Sequence, residues 1–124
     1  MITIHELNPN NYLLTLEQER NFNLLFDRLN LLRSKYGHPM IITSGVRSLE
    51  DQARINPSAM GSAHVKAAAA DIADPDRRLG DWLIDNIGFC EQTGLWMEDL
   101  RFTPRWIHIQ IIPPKSGNRI FIPC

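Results

Sequence analysis

Apolar residues return at three- and four-residue steps from Phe22 through Leu25, Leu29 and Leu32 to Tyr36, the spacing of one face of an α-helix. Thr15 with Gln18 three positions on makes a capping box, so the pattern predicts a helix from Leu16 to Tyr36. Gly37 can take the left-handed conformation that closes a helix, and Pro39 prevents its continuation. The period then changes. Met40–Thr43 is a short apolar run suited to a buried strand, broken at Ser44-Gly45, and Ser48 with Asp51 can start another short helix. Asn56 to Ser62 reads as an irregular loop.

In Ala67–Ile72 alanine favours helix, but a short apolar run ending at Asp71-Ile72 suits a buried strand, and we read it as strand. Leu79, Trp82, Leu83 and Ile87 mark a second amphipathic helix, ended by Gly88 or Gly94. Leu95–Asp99 and Trp106–Ile112 form two strands joined around Thr103-Pro104. Pro113-Pro114 ends the second, and Arg119–Ile122 makes a last short strand. The sum is an α+β domain: a small, mainly antiparallel sheet packed against two or three helices.

Composition narrows the function more than the fold. The chain has 124 residues, enough for one domain over 1–124 with a core of its own, and 44% hydrophobic with 22% charged residues mark it as globular. A net charge of -1 without clusters of either sign predicts no general affinity for nucleic acid or an anionic membrane. No apolar run is long enough to span a bilayer. Met1 to Asn11 lack the basic start and apolar stretch of a secretory signal, so unaided export is not expected. Cys90 and Cys124 match no paired metal-ligand spacing. His5 and His38 read as surface or structural, and a monomer is expected.

A hydrolytic zinc site needs about three ligands of the His, Asp, Glu or Cys type and one open position. His64, Asp71 and His108 could supply them, although singly each reads as an ordinary surface, cap or turn residue. Their surroundings carry more. Ser44-Gly45-Val46-Arg47-Ser48, then Ser62-Ala63-His64-Val65-Lys66-Ala67-Ala68-Ala69-Ala70-Asp71, then Trp106-Ile107-His108 resemble, in order, three motifs of the zinc D-Ala-D-Ala carboxypeptidase and dipeptidase family, peptidase family M15. Its small bacteriophage-type members are the most similar. The resemblance implies the hedgehog/D-Ala-D-Ala peptidase-like fold, one Zn2+ on His64, Asp71 and His108, and hydrolysis of a peptide bond in bacterial peptidoglycan stem peptides. It further implies a lysis or virion-associated enzyme, held in the host cytoplasm before release or carried on the virion.

Two positions depart from the family pattern. Ala67 stands where the His-x-x-Gly motif has glycine, and a positive φ there costs an alanine about 1 kcal/mol or more. Arg105 stands three residues before His108, where many members carry the catalytic glutamate, and a guanidinium is no base. Glu98 is the replacement. A hairpin centred on Thr103 sets it opposite His108 on one sheet face, with Cβ atoms about 5 Å apart, while Asp99 points to the other face unless a bulge reverses the parity. Alternation puts Trp106 and Gln110 on the His108 face, with Trp96 opposite Gln110, and turns Ile107, Ile109 and Ile111 to the core.

The family's substrate arginine falls on Arg47, whose fork can clamp a carboxylate. A solvated loop arginine is the alternative. Ser62 and Trp106 are further substrate-binding candidates, against ordinary turn and core roles, and Gln52 is a weaker one. A binding or virion structural module that keeps fold and zinc without turnover remains the rival to the peptidase, since fold alone establishes no activity.

Overall fold

Two capping boxes open the chain. In a computed structural model that describes residues 1–57 and 61–123, Thr3 and Glu6 exchange hydrogen bonds at the start of a one-turn helix, α1 (Ile4–Leu7). Thr15 and Gln18 do the same for α2 (Leu16–Tyr36). The first was not expected, because one turn with a single buried residue, Leu7, shows no periodicity. The second runs as the spacing predicts, with Phe22, Leu25, Leu29, Leu32 and Tyr36 buried and Gly37 at φ 79° closing it on the Arg33 carbonyl.

Strand β1 (Ile42–Ser44) begins two residues later than the Met40–Thr43 run and ends one later. Met40 is in the core and Ile41 is exposed, so the apolar run marks the approach to the strand more than the strand itself. Ser48 caps α3 (Leu49–Ile55) through the Asp51 N–H. Of the loop expected from Asn56 to Ser62, residues 58–60 lie outside the described residues. The alanine-rich segment becomes β2 (Ala69–Ala73): helix propensity yields where strands pair on both sides and Ala69 and Ala70 are fully buried.

The second amphipathic helix is in fact two, α4 (Arg78–Asp85) and α5 (Ile87–Thr93). Asn86 breaks them, at φ -120° with its side-chain amide donating to the Trp82 carbonyl at 2.9 Å. Gly94, at φ 78°, ends α5, and Gly88 lies inside it. The start of α4 is held from outside: both carboxylate oxygens of buried Asp74 accept from it, Oδ1 from the Leu79 N–H at 2.9 Å and Oδ2 from the Gly80 N–H at 2.8 Å.

The sheet closes with β3 (Trp96–Glu98), a 3-10 turn at Leu100–Phe102, β4 (Trp106–Gln110) and β5 (Ile120–Phe121). Strand order is β1-β2-β4-β3-β5, antiparallel except for the parallel edge pair β3–β5. This is the α+β architecture expected, with five helices among the described residues instead of two or three, two of the additions being α1 and the split at Asn86. Ile72, Ile107, Ile109 and Met97 turn one face into the core shared with Leu25, Leu29 and Leu32. Fully burying each such side chain contributes about 1.5–3 kcal/mol. The opposite face is left for chemistry.

Candidate metal centre

Register decides which polar side chains meet on that face. Ser44 pairs with Asp71, and Asp71 pairs with His108, so three neighbouring strands place these side chains in one row. On the far side of β4, Trp96 pairs with Gln110 and Met97 with Ile109, the hairpin register that sets Glu98 beside His108.

His64 reaches the row from the loop before β2, and two turns lock together to hold it. The Arg47 N–H donates to the His64 carbonyl at 3.1 Å, and His64 Nδ1 donates to the Gly45 carbonyl at 2.9 Å. Gly45 is required by contact: a Cβ there would lie 2.1 Å from the Leu7 carbonyl oxygen, to which Val46 N–H donates. Ser62 accepts the His64 N–H at 3.2 Å, so its hydroxyl shapes the turn that delivers the histidine. Ala67 has φ 58°, the glycine-like conformation that its place in the motif asks for, and is fully buried.

A carbonyl can only accept, so Nδ1 of His64 carries hydrogen and Nε2 faces the site. It lies 3.3 Å from Asp71 Oδ1. His108 is oriented the other way round. Its Nδ1 lies 3.0 Å from Asp71 Oδ1, and its Nε2 donates to Gln110 Oε1 at 2.8 Å. One ligand atom from each of His64, Asp71 and His108 lies within 4.8 Å of the other two. Two imidazole nitrogens and one carboxylate, each histidine fixed by a hydrogen bond on its other nitrogen, are the donors and the outer contacts that Zn2+ favours. The residues fit the ion.

Charge agrees with geometry. Burial opposes ionisation of Asp71, but hydrogen bonds from His108 and His64, and their charges, hold its carboxyl well below the ordinary range. Burial also opposes protonation of His108, and the hydrogen bond and charge of Asp71 override it and raise its pKa. Glu98 is raised, first by burial and then by Asp71, against the pull of His108. Asp99 is elsewhere: it caps the 3-10 turn and pairs with Arg101, bonds that lower its pKa.

Arg47 stands at the edge of the row. Its Nη2 donates to Ser44 Oγ at 2.8 Å and lies 4.0 Å from Asp71 Oδ2, while Nη1 donates to Gln52 Oε1 at 2.7 Å. Gln52 is only 2% exposed and is anchored through its own amide to the Asn56 carbonyl. It therefore aims the guanidinium, a role its sequence position five residues after Arg47 did not reveal. Trp106, half-buried, starts β4 two residues from His108 and pairs with Ala73. Phe121 meets the His108 ring edge-on with centroids 6.1 Å apart, a wall the sequence reading missed because it comes from the parallel edge strand. His5 and His38 are not in the group of converging ligands; His38 lies beside Arg78 at 3.1 Å.

No curated protein and no solved structure matches the chain in comparison. A family model described as Peptidase M15 matches residues 6–110, a span that holds the Gly45 turn, His64, Asp71, Glu98 and His108 alike. With most of its length and its whole metal row inside that match, the chain belongs to the peptidase M15 family.

Proposed function

We propose that the protein is a zinc-dependent peptidase that hydrolyses a peptide bond in peptidoglycan stem peptides, acting as a lysis or virion-associated wall hydrolase of the bacteriophage type. The observation that carries the reading is the convergence of His64, Asp71 and His108 with one raised carboxyl, Glu98, and one aimed guanidinium, Arg47, on a single sheet face. A zinc ion bound by the three ligands supplies Lewis acidity, which brings the pKa of water down to about 7 and polarises a carbonyl.

The chain's own residues account for the rest. Glu98 accepts a proton from the attacking water at its carboxylate and returns it to the leaving amine nitrogen. Its raised proton affinity favours the first transfer and its half-buried setting keeps the second local. Arg47 presents a fork already oriented by Gln52 and Ser44, suited to the carboxylate of a D-alanine or diaminopimelate end. His64, Asp71 and His108 would hold the metal, Phe121 walls the site against the His108 ring, and Trp106 on the strand of His108 is a further substrate contact.

Incubating the purified protein with peptidoglycan, with and without a chelator, and identifying the fragments by mass spectrometry tests this directly. Release of stem-peptide fragments that chelation stops is the expected result. Full zinc content with no cleavage would replace the peptidase by a metal-holding binding module.

A further inference from the structure

Of the two histidines in the row, His108 is the one whose outer nitrogen is held by a side chain. His64 is fixed by a backbone carbonyl, which no substitution can remove, whereas the outer nitrogen of His108 meets Gln110. The direction of that contact is settled by the next bond along. Gln110 Nε2 lies 2.7 Å from the Ile112 carbonyl oxygen, which can only accept, so the amide oxygen must be the end turned to His108. At 2.8 Å that oxygen requires hydrogen on Nε2 of His108. Nδ1 is then the nitrogen that faces Asp71 and His64. Gln110 is itself buried, at 9% exposure, and sits in a paired strand opposite Trp96 and Ala69, so water does not readily substitute for it.

We infer that Gln110 is a positioning residue that selects Nδ1 of His108 as the metal-binding nitrogen. Resting on the metal-centre reading above, the inference adds a residue outside the three motifs. Without the amide acceptor, Nε2 has no fixed partner. The neutral ring can then place its hydrogen on Nδ1, the tautomer that cannot bind metal there. The ring is also free to turn about its bond to the strand.

Two substitutions separate this role from mere packing. Gln110→Leu removes the acceptor and the donor together. Gln110→Glu keeps an acceptor for His108 Nε2–H but, like leucine, gives nothing to the Ile112 carbonyl. Zinc affinity measured by chelator competition should fall about 10- to 100-fold in Gln110→Leu, the usual effect of losing such an outer contact, and stay near wild type in Gln110→Glu. Nitrogen-15 correlation spectra of the zinc-loaded wild-type protein should show His108 protonated at Nε2 and ligated through Nδ1. They need no variant, so a misfolded Gln110→Leu protein would not protect the idea. Unchanged affinity in Gln110→Leu, an equal fall in both variants, or ligation through Nε2 would each overturn it. Absence of zinc binding by the wild-type chain would instead overturn the metal centre, and this role with it.

Discussion

The proton on His108 and a metal ion want the same atom, and this makes zinc affinity a reporter of the site's electrostatics. His108 Nε2 meets the Gln110 amide oxygen and Nδ1 meets the Asp71 carboxylate, two acceptors that a charged imidazolium would satisfy together. Burial works against that charge, but Asp71, Gln110 and Glu98 together raise the pKa above the ordinary 6.5. Asp71 is ionised throughout the neutral range, being held far below 3.8. Zinc must therefore displace the Nδ1 proton. Through His108, each unit of falling pH below its raised pKa should weaken zinc binding by about tenfold, or about 1.4 kcal/mol, and above that pKa His108 should contribute no slope. Calorimetric titration with zinc in two buffers of different ionisation enthalpy counts the protons released, and chelator competition across pH gives the slope. Flat affinity with no proton released would refute the reasoning. The metal-free protein should show the opposite trend in stability. The raised His108 contributes stability that is full below 6.5 and lost as pH rises through its folded value, while the depressed Asp71 contributes stability present above 3.8 and lost as pH falls through its own. The gain in melting temperature from zinc should thus grow as pH rises through the histidine range.

Glu98→Gln should keep zinc and lose about a hundred- to ten-thousand-fold in turnover, with Asp99→Asn near normal because that carboxylate serves Arg101. If Asp99→Asn were the dead variant in a peptide-cleavage assay, the assignment of the base would be wrong. Arg47→Lys should retain fold and zinc but raise KM for substrates ending in a carboxylate, since lysine cannot reproduce the fork held by Gln52 and Ser44; unchanged KM would make Arg47 a purely structural residue. Asp74→Asn puts an amide NH2 against one of two helix N–H groups, leaving a buried donor unpaired at about 2 kcal/mol. At about 4 °C per kcal/mol for this length, thermal unfolding should fall by about 8 °C, and a shift under about 2 °C would show that the cap is dispensable.

Much of this was legible in the sequence because it rests on rules that act locally or by parity. The α2 stripe and caps follow from spacing, and the β3–β4 register follows from a turn near Thr103 with alternating Trp106, His108 and Gln110. Other features needed the third dimension. Nothing local marks Asn86 as a helix break, since Leu79, Trp82, Leu83 and Ile87 keep helical spacing across it. Gln52 and Phe121 gain their roles only when α3 and the edge strand meet the site face. Ala67 shows both sides: its departure from glycine was visible, but only the structure decides that it accepts φ 58° and does not avoid it. The turn is over-determined, with Ala67 N–H on the His64 carbonyl, Ala68 N–H on the Ala63 carbonyl and the Ile111 N–H on the Ala68 carbonyl. A strain of about 1–2 kcal/mol persists because those bonds leave no other path.

The same parity bears on where a carboxylate can stand relative to His108. Arg105 precedes β4 and is exposed, with its carbonyl accepting the Asp74 N–H, so it contributes backbone to the joint between β2 and α4 and no side chain to the metal row. His108, however, has neighbours along its own strand and neighbours across the sheet. A side chain directly opposite on β3 comes as close to it as any residue on β4 can, about 5 Å between Cβ atoms, and on the same face. Continuing the register of Trp96 with Gln110 and Met97 with Ile109 by one residue brings Glu98 to that place, and the strand carrying it is pinned to β5 by Met97 with Ile120 and by Glu98 with Phe121. Backbone pairing on both sides fixes the position of the carboxyl more firmly than the loop at Arg105 would. A base need not lie near His108 in the chain: a cross-strand position such as the one this register gives Glu98 can bring a carboxylate equally close.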